Sequence, residues 1–276
     1  MRNLELRHRS DAFESVMQGL TDPGVCSSTG MKKLDIALGG GLFAGKAYGI
    51  QARKKTGKTL LMGTMSYNMN ELAIPHLWIA SEMNDRELEH RHIARSLQRS
   101  ALDFLSDDPE LSAQVRAYSD TAPDNILYAN AVGITIPELK EIVLRAVKEY
   151  DIHGFFLDYL QLVRATRNGN RTEHLEEVAQ TISEIVREHQ VWAVVAAQLN
   201  QDHNTRGGEG MLLAFDMIFS LHRNPHSSEG WLEMKDTRYT PYRNIGSEIK
   251  PGLKLEQIGP FFSEINGVGG DTTSLL

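Results

Sequence analysis

The chain has 276 residues, 41% of them hydrophobic and 24% charged, a balance that suits one large globular domain with a sizeable core. Its formal net charge of −7 excludes a protein that coats duplex DNA with a uniformly basic surface, so any nucleic-acid contact must come from a local patch. The single cysteine, Cys26, excludes an internal disulfide, and no apolar run of about 18 residues or export signal is present, which together predict a cytoplasmic protein with no membrane partner.

Residues 1–27 predict an N-terminal arm or linker helix, with Phe13, Val16, Met17 and Leu20 at helical spacing before the turn signal DPG. From residue 28, STGMKKLDIALGGGLFAGKAYGIQA predicts a short helix, a glycine-rich turn and a strand. ARKKTGKT follows at 52–59, and LLMGTMSYNMNELA continues it as a helix. HLWIASEM predicts a buried strand, and NDRELEHRHIARSLQRS a charged helix with His90, Arg91, His92 and Arg95 on the surface. The acid-rich segment 101–123 predicts a helix and loops, ILYANA a strand, and IPELKEIVLRAVKEYD an amphipathic helix.

GFFLDYLQLV predicts one strand, RTEHLEEVAQTISEIVREHQ a helix, and VWAVVAAQLN a buried strand. MIFSLHR, WLEMKD and LKLEQIGPFFSEI predict one further strand each, before a mobile tail at 266–276. Buried apolar strands alternating with helices define an α/β fold. A mostly parallel sheet with helices on both faces is expected, as one domain over residues 28–265.

The chemistry gathers at strand ends. ARKKTGKT nearly fits the phosphate-loop pattern G-x-x-x-x-G-K-[ST], with Ala52 at the first glycine. The candidate nucleotide-binding loop comprises Ala52, Arg53, Lys54, Lys55, Thr56, Gly57, Lys58, Thr59 and Leu60. Gly57 lets the backbone approach phosphate, Lys58 supplies charge, Thr59 a hydroxyl for Mg²⁺, and the following helix its positive end. Asp158 ends an apolar strand, where a carboxylate can organise the water shell of Mg²⁺. Glu82, after another buried strand, can orient and deprotonate an attacking water, and Gln198 ends a third strand with an amide able to sense a γ-phosphate. ATP and Mg²⁺ are therefore the expected ligands. The histidines and Cys26 show no zinc spacing.

These motifs, in this order, resemble the RecA-type ATPase domain of DnaB-family replicative helicases over residues 28–263. STGMKKLDIALGGGLFAGKAYGI is similar to the family's lead-in, and its phosphate loop often begins with alanine-arginine, as here. Lys54 replaces the family's usual proline. SEMN resembles the family's serine-leucine-glutamate-methionine stretch, which implies that Glu82 is the catalytic carboxylate. DYLQL resembles its Mg²⁺-site strand and AQLN its sensor motif. DMIFSLHR resembles the strand after the second DNA loop, although Leu212 and Leu213 replace that loop's glutamate-glutamine pair. WLEMKDTRY resembles the element that reaches a neighbour's nucleotide. The resemblance therefore implies that Lys235 and Arg238 act in trans, with spacing one residue wider than the family's and Arg243 as a competing finger.

What the resemblance implies is an ATP-hydrolysing translocase on single-stranded DNA, a DNA helicase assembled as a ring-shaped homo-oligomer, a hexamer, with a primase or loader as possible partner. An arginine donated across subunits adds about 10³–10⁵-fold in related phosphoryl transfers, which gives the ring a chemical reason. Arg164, Arg167 and Arg171 in one loop and Arg206 in another would track DNA phosphates without reading bases. Replicative members of the family carry a large N-terminal helical domain. Only about 25 residues precede the core here, so a minimal phage- or plasmid-type helicase, or a relative that borrowed the motor, is expected. Two other readings remain open: a RecA- or RadA-like recombinase, and an ATP-binding accessory or loader protein.

Overall fold

The computed structural model describes residues 8–10, 13, 14, 17, 26–80, 83–100, 102–105, 107–164, 171–198, 214–223, 228–237 and 252–265. Most of the expected N-terminal arm and the whole expected tail lie outside them. Within the arm, Arg9, Ser10, Phe13, Glu14 and Met17 are helical, and Phe13 and Met17 are exposed.

In chain order, β1 (Cys26–Ser27) pairs antiparallel with β2 (Leu42–Phe43), framing α1 (Lys32–Leu38). Then come β3 (Ala47–Ala52), α2 (Lys58–Glu71), β4 (His76–Ala80), α3 (Asp85–Ser96), α4 (Pro109–Ser119), β5 (Ile126–Asn130), α5 (Ile136–Tyr150) and β6 (Gly154–Asp158). The second half holds α6 (Arg171–His189), β7 (Trp192–Gln198), β8 (Met217–Arg223), β9 (Glu229–Thr237), β10 (Leu253–Ile258) and β11 (Phe261–Glu264). The main sheet runs β11-β10-β9-β8-β3-β7-β6-β4-β5. Strands β8 through β5 in that order are parallel, and β9, β10 and β11 extend the edge antiparallel. The expected α/β architecture is what forms.

Two expectations are corrected. LKLEQIGPFFSEI is a hairpin, not one strand: Gly259 and Pro260 make the turn, and Ile258 pairs with Phe261. GFFLDYLQLV stops being a strand at Asp158, and Leu160–Leu162 coil into a 3₁₀ turn. The Gly259-Pro260 turn signal stands between apolar Ile258 and Phe261, and the 3₁₀ turn opens with buried Leu160, as apolar as a strand residue.

Strand alternation divides the core between the two faces of the sheet. Trp78, Phe156, Trp192, Val194 and Tyr48 pack under α1 and α2 with Leu34, Leu61, Met65 and Met69. Leu77, Ile79, Phe155, Leu157 and Val195 face α5 and α6 with Leu139, Val143, Val178, Ile182 and Ile185. The lead-in STGMKKLD closes on itself through Asp35, which accepts from Ser28 Oγ at 2.6 Å, Thr29 N at 2.9 Å and Thr29 Oγ1 at 2.7 Å. Gly30, at φ +69°, lies so close to α2 that a Cβ there would sit 2.4 Å from Asn68 Cβ. That segment is thereby fixed against the helix that follows the phosphate loop.

His76 opens β4 fully buried, its ring against Phe156 and Trp192. Nδ1–H donates to the Ile74 carbonyl at 2.8 Å, so in the neutral ring Nε2 accepts from Ser66 Oγ at 2.7 Å. Burial lowers its pKa from 6.5 to about 4. The unfolded chain therefore takes up a proton below pH 6.5 that the native state refuses until near pH 4. Stability present above 6.5 is lost progressively over that window, by up to about 3 kcal/mol. Urea unfolding at pH about 7.5 and about 5 should show this loss in wild type and a shallower one in His76→Gln. Equal slopes would remove His76 as the cause.

Candidate nucleotide-binding site

The site begins with three adjacent parallel strands. In the order β3-β7-β6 their carboxyl ends open on one side, where ligands gather in sheets of this kind. Ala52 at the end of β3 pairs with Gln198 at the end of β7, and Asp158 at the end of β6 pairs with Ala80 at the end of β4. Over these ends lies a cavity of about 1440 Å³, lined by Lys54, Lys55, Gly57, Lys58, Thr59 and Leu60 from the loop and by Asp158 and Gln198 from the strands.

The loop takes its shape from two residues in the left-handed region, Lys55 at φ 64° and Gly57 at φ 107°. Gly57 is further constrained from beneath: a Cβ there would meet the Phe262 ring at 3.1 Å. Lys58 Nζ donates to the Ala52 carbonyl at 3.3 Å and reaches the Arg53 carbonyl at 3.5 Å, which holds the ammonium inside the loop. Ala52, Arg53 and Thr56 are absent from the cavity wall, and the first two act through these carbonyls.

Helix α2 starts at Lys58 with no side chain capping it and no acid in its first turn. By contrast α3 is closed by an Asn84–Glu87 capping box and α4 by Asp108. No side-chain acceptor or acid thus competes with an anion at the start of α2, where the helix dipole favours negative charge. Asp158 is 2% exposed and shares the cavity with the Thr59 hydroxyl. A carboxylate and a hydroxyl are hard oxygen donors, and together with phosphate oxygens and waters they fit Mg²⁺, which needs no all-protein cage.

Several cavity residues escaped the sequence. Arg91, Arg95 and Arg99 from α3 and the segment after it, Arg223 from the end of β8, and Gln257 through Phe261 from the β10–β11 hairpin complete the wall. The Arg95 guanidinium lies 4.1 Å from the Tyr67 ring centroid and 4.4 Å from that of Phe261, and donates to Asn68 Oδ1 at 2.7 Å. The closing hairpin is tied to α2 by Phe262 N–H donating to Thr64 Oγ1 at 2.9 Å.

The surface reading of α3 is corrected as well. His92 is buried, with Nδ1 3.3 Å from the Tyr128 hydroxyl, which itself donates to Glu89 at 2.8 Å. Hydrogen bonding to His92 lowers the Glu89 pKa. Arg91 and Arg95 are half-buried; desolvation lowers the Arg91 pKa against the raising charges of Glu87 and Asp158. Leu88, Arg91, His92 and Arg95 recur at i, i+3, i+4 and i+7, so the stripe was present in the sequence but written in charged letters.

The remaining expected residues divide as follows. Glu82, Arg167, Arg206, Arg238 and Arg243 lie outside the described residues, as does the side chain of Arg171, where α6 begins. Arg164 is exposed, with its guanidinium over Gly133 and its backbone N–H donating to the Ile134 carbonyl at 2.7 Å. Lys235 sits on β9 with Nζ 3.1 Å from Glu233. Neither Arg164 nor Lys235 lines the cavity of its own chain.

A glycine-lysine-threonine loop between a central parallel strand and a helix, with a buried carboxylate ending β6, defines a RecA-like P-loop nucleotide-binding core. The chain belongs to the DnaB-like helicase C-terminal domain family, whose model matches residues 26–211. It is similar to the replicative DNA helicase DnaB of Rhodothermus marinus, 28% identical over 256 residues, covering 88% of this chain and 26% of that protein. The DnaB of Mycoplasma genitalium is 23% identical over 222 residues, covering 71% of this chain and 46% of that protein. The chain thus spans less than half the length of either relative.

Among solved structures, the ATPase domain of G40P superposes with a TM-score of 0.75 at 18% identity, covering 95% of this chain and 100% of that one. A DnaB-like replicative helicase whose interactions with primase were studied gives 0.74 at 20% identity, covering 94% and 67%. These two likenesses establish the RecA-like fold.

Proposed function

We propose that residues 28–265 are the ATP-hydrolysing motor of a DnaB-type replicative helicase, which moves along single-stranded DNA as a ring-shaped homo-oligomer, a hexamer. The observation that carries this reading is the convergence of Lys58, Thr59, Asp158 and Gln198 on one cavity in a chain of this family. Lys58 neutralises the outer phosphates, and the uncapped start of α2 receives the inner ones. Thr59 and Asp158 would hold Mg²⁺, which would offset the negative charge of the phosphates. Glu82 takes a proton from the attacking water, and Gln198 reports the state of the γ-phosphate.

Turnover is completed in trans by Arg238 and Lys235 of a neighbouring copy, with Arg243 as the other possible finger. The salt bridge from Lys235 to Glu233 supports this reading, because it holds the cation on β9, apart from its own cavity wall. Arg164, Arg167, Arg171 and Arg206 contact DNA phosphates from the loops that leave the same end of the sheet. Single-stranded DNA, further copies of the chain, and a primase or loader are the partners. Among the described residues no helix is long and apolar enough to cross a membrane.

The test is displacement of a labelled strand from a forked duplex, with ATP or a slowly hydrolysed analogue. Unwinding that requires ATP is expected, from a species sized as a closed ring. Extended filaments would favour a recombinase, and nucleotide binding without unwinding an accessory protein.

A further inference from the structure

The ladder between β6 and β7 ends with Leu157 opposite Val195, before either strand reaches its functional end. Beyond that point the two strand ends are joined by a side chain. Gln161 Oε1 accepts from Gln198 N–H at 3.2 Å, and Gln161 Nε2 donates to the Gln198 carbonyl at 3.3 Å. One amide thereby makes the pair of bonds that a neighbouring strand would make to the same residue. On its other edge Gln198 is paired with Ala52, at the start of the phosphate loop.

The platform beneath Gln161 is rigid. Leu160 and Val163 on either side of it are buried, at 0% and 3% exposure. Leu162 N–H donates to the Tyr159 carbonyl at 3.1 Å, and Val163 N–H to that of Leu160 at 3.2 Å. Gln161 is not part of the cavity wall, whereas its neighbour Tyr159 and its partner Gln198 are. It therefore has no need to touch nucleotide. What it joins are the roots of two loops, the segment entering at Arg164 and the segment leaving Gln198.

We infer that Gln161 is a positioning residue, a cross-tie that makes the ends of β6 and β7 move as one body, so that a change at the nucleotide reaches the segment after Gln198. The inference rests on the nucleotide-site reading above and adds to it the route by which the site speaks to the loops. Among the described side chains, the Gln161 amide is the link between these two roots that the hydrogen bonds define. Without it Gln198 keeps its pairing to Ala52 but loses its tie to the turn after Asp158.

The test is hydrogen–deuterium exchange on the full chain, with and without a slowly hydrolysed ATP analogue and Mg²⁺, followed in peptides covering 52–60 and 199–213. In wild type both peptides should change protection on binding. In Gln161→Ala the response at 52–60 and the nucleotide affinity should hold, the latter within about twofold. The response at 199–213 should fall about fivefold or more, the lower end of what coupling between sites spans. Gln161→Glu keeps the acceptor and the shape but loses the donor, and should give an intermediate loss. It decides the matter should the alanine variant unfold early, as thermal melts will show.

No protection at 52–60 in wild type would remove the nucleotide site and the cross-tie together. Protection at 52–60 with no response at 199–213 in wild type, or with equal responses in wild type and the substituted chains, would overturn the cross-tie alone.

Discussion

Lys58→Ala loses ATP hydrolysis and binds nucleotide at least about 100-fold more weakly, with its fold intact. The size of the effect follows from where the ammonium sits. It is held against the carbonyls of Ala52 and Arg53, within a loop whose helix has no side-chain cap and no second positive side chain in its first turn. The stem makes no large contribution to the core, so removing it leaves the packing of Leu61, Met62 and Met65 undisturbed. Titration with a fluorescent ATP analogue, beside a circular dichroism melt, separates the two effects. Unchanged affinity would mean that the cavity is not a phosphate site.

Glu82→Gln keeps nucleotide binding and loses about 10²–10⁴-fold in turnover. Ala80 stands opposite Asp158 in the ladder of β4 and β6, so the chain leaves β4 beside the carboxylate assigned to the Mg²⁺ shell. Glu82, two residues farther on in the sequence, is the proposed proton acceptor, and the amide preserves its size but cannot take the proton. Single-turnover hydrolysis at saturating ATP isolates the chemical step. A variant that turned over at the wild-type rate would reassign the base, and a variant that no longer bound ATP would make Glu82 a binding residue.

Most of the architecture was legible because buried parallel strands are written in nearly continuous apolar letters, as in GFFLD and WAVVAAQ, and their helices in 3.6-residue stripes. The loop and the strand-end residues Asp158 and Gln198 were legible for a related reason: each is the first polar letter after such a run, or lies just beyond one. Legibility failed where side chains act against type. His92 and Arg95 look like a solvated face, yet they fill a stripe between α2, β5 and the closing hairpin, where the Tyr128 hydroxyl meets His92 Nδ1 and the Tyr67 and Phe261 rings face the Arg95 guanidinium. The hairpin was missed because its Gly259-Pro260 turn signal is flanked by apolar Ile258 and Phe261. That Phe262 lies under Gly57 depends on a contact between residues far apart in the chain, which no local pattern encodes. Gln161 was legible as a letter of DYLQL, but its clamp on Gln198 required the strand order.

ATP turnover of the wild-type chain, measured with and without single-stranded DNA, is the most direct test of a DNA-driven motor. The expected result is stimulation of several-fold or more, lost in Glu82→Gln. Turnover indifferent both to DNA and to Glu82 would contradict it.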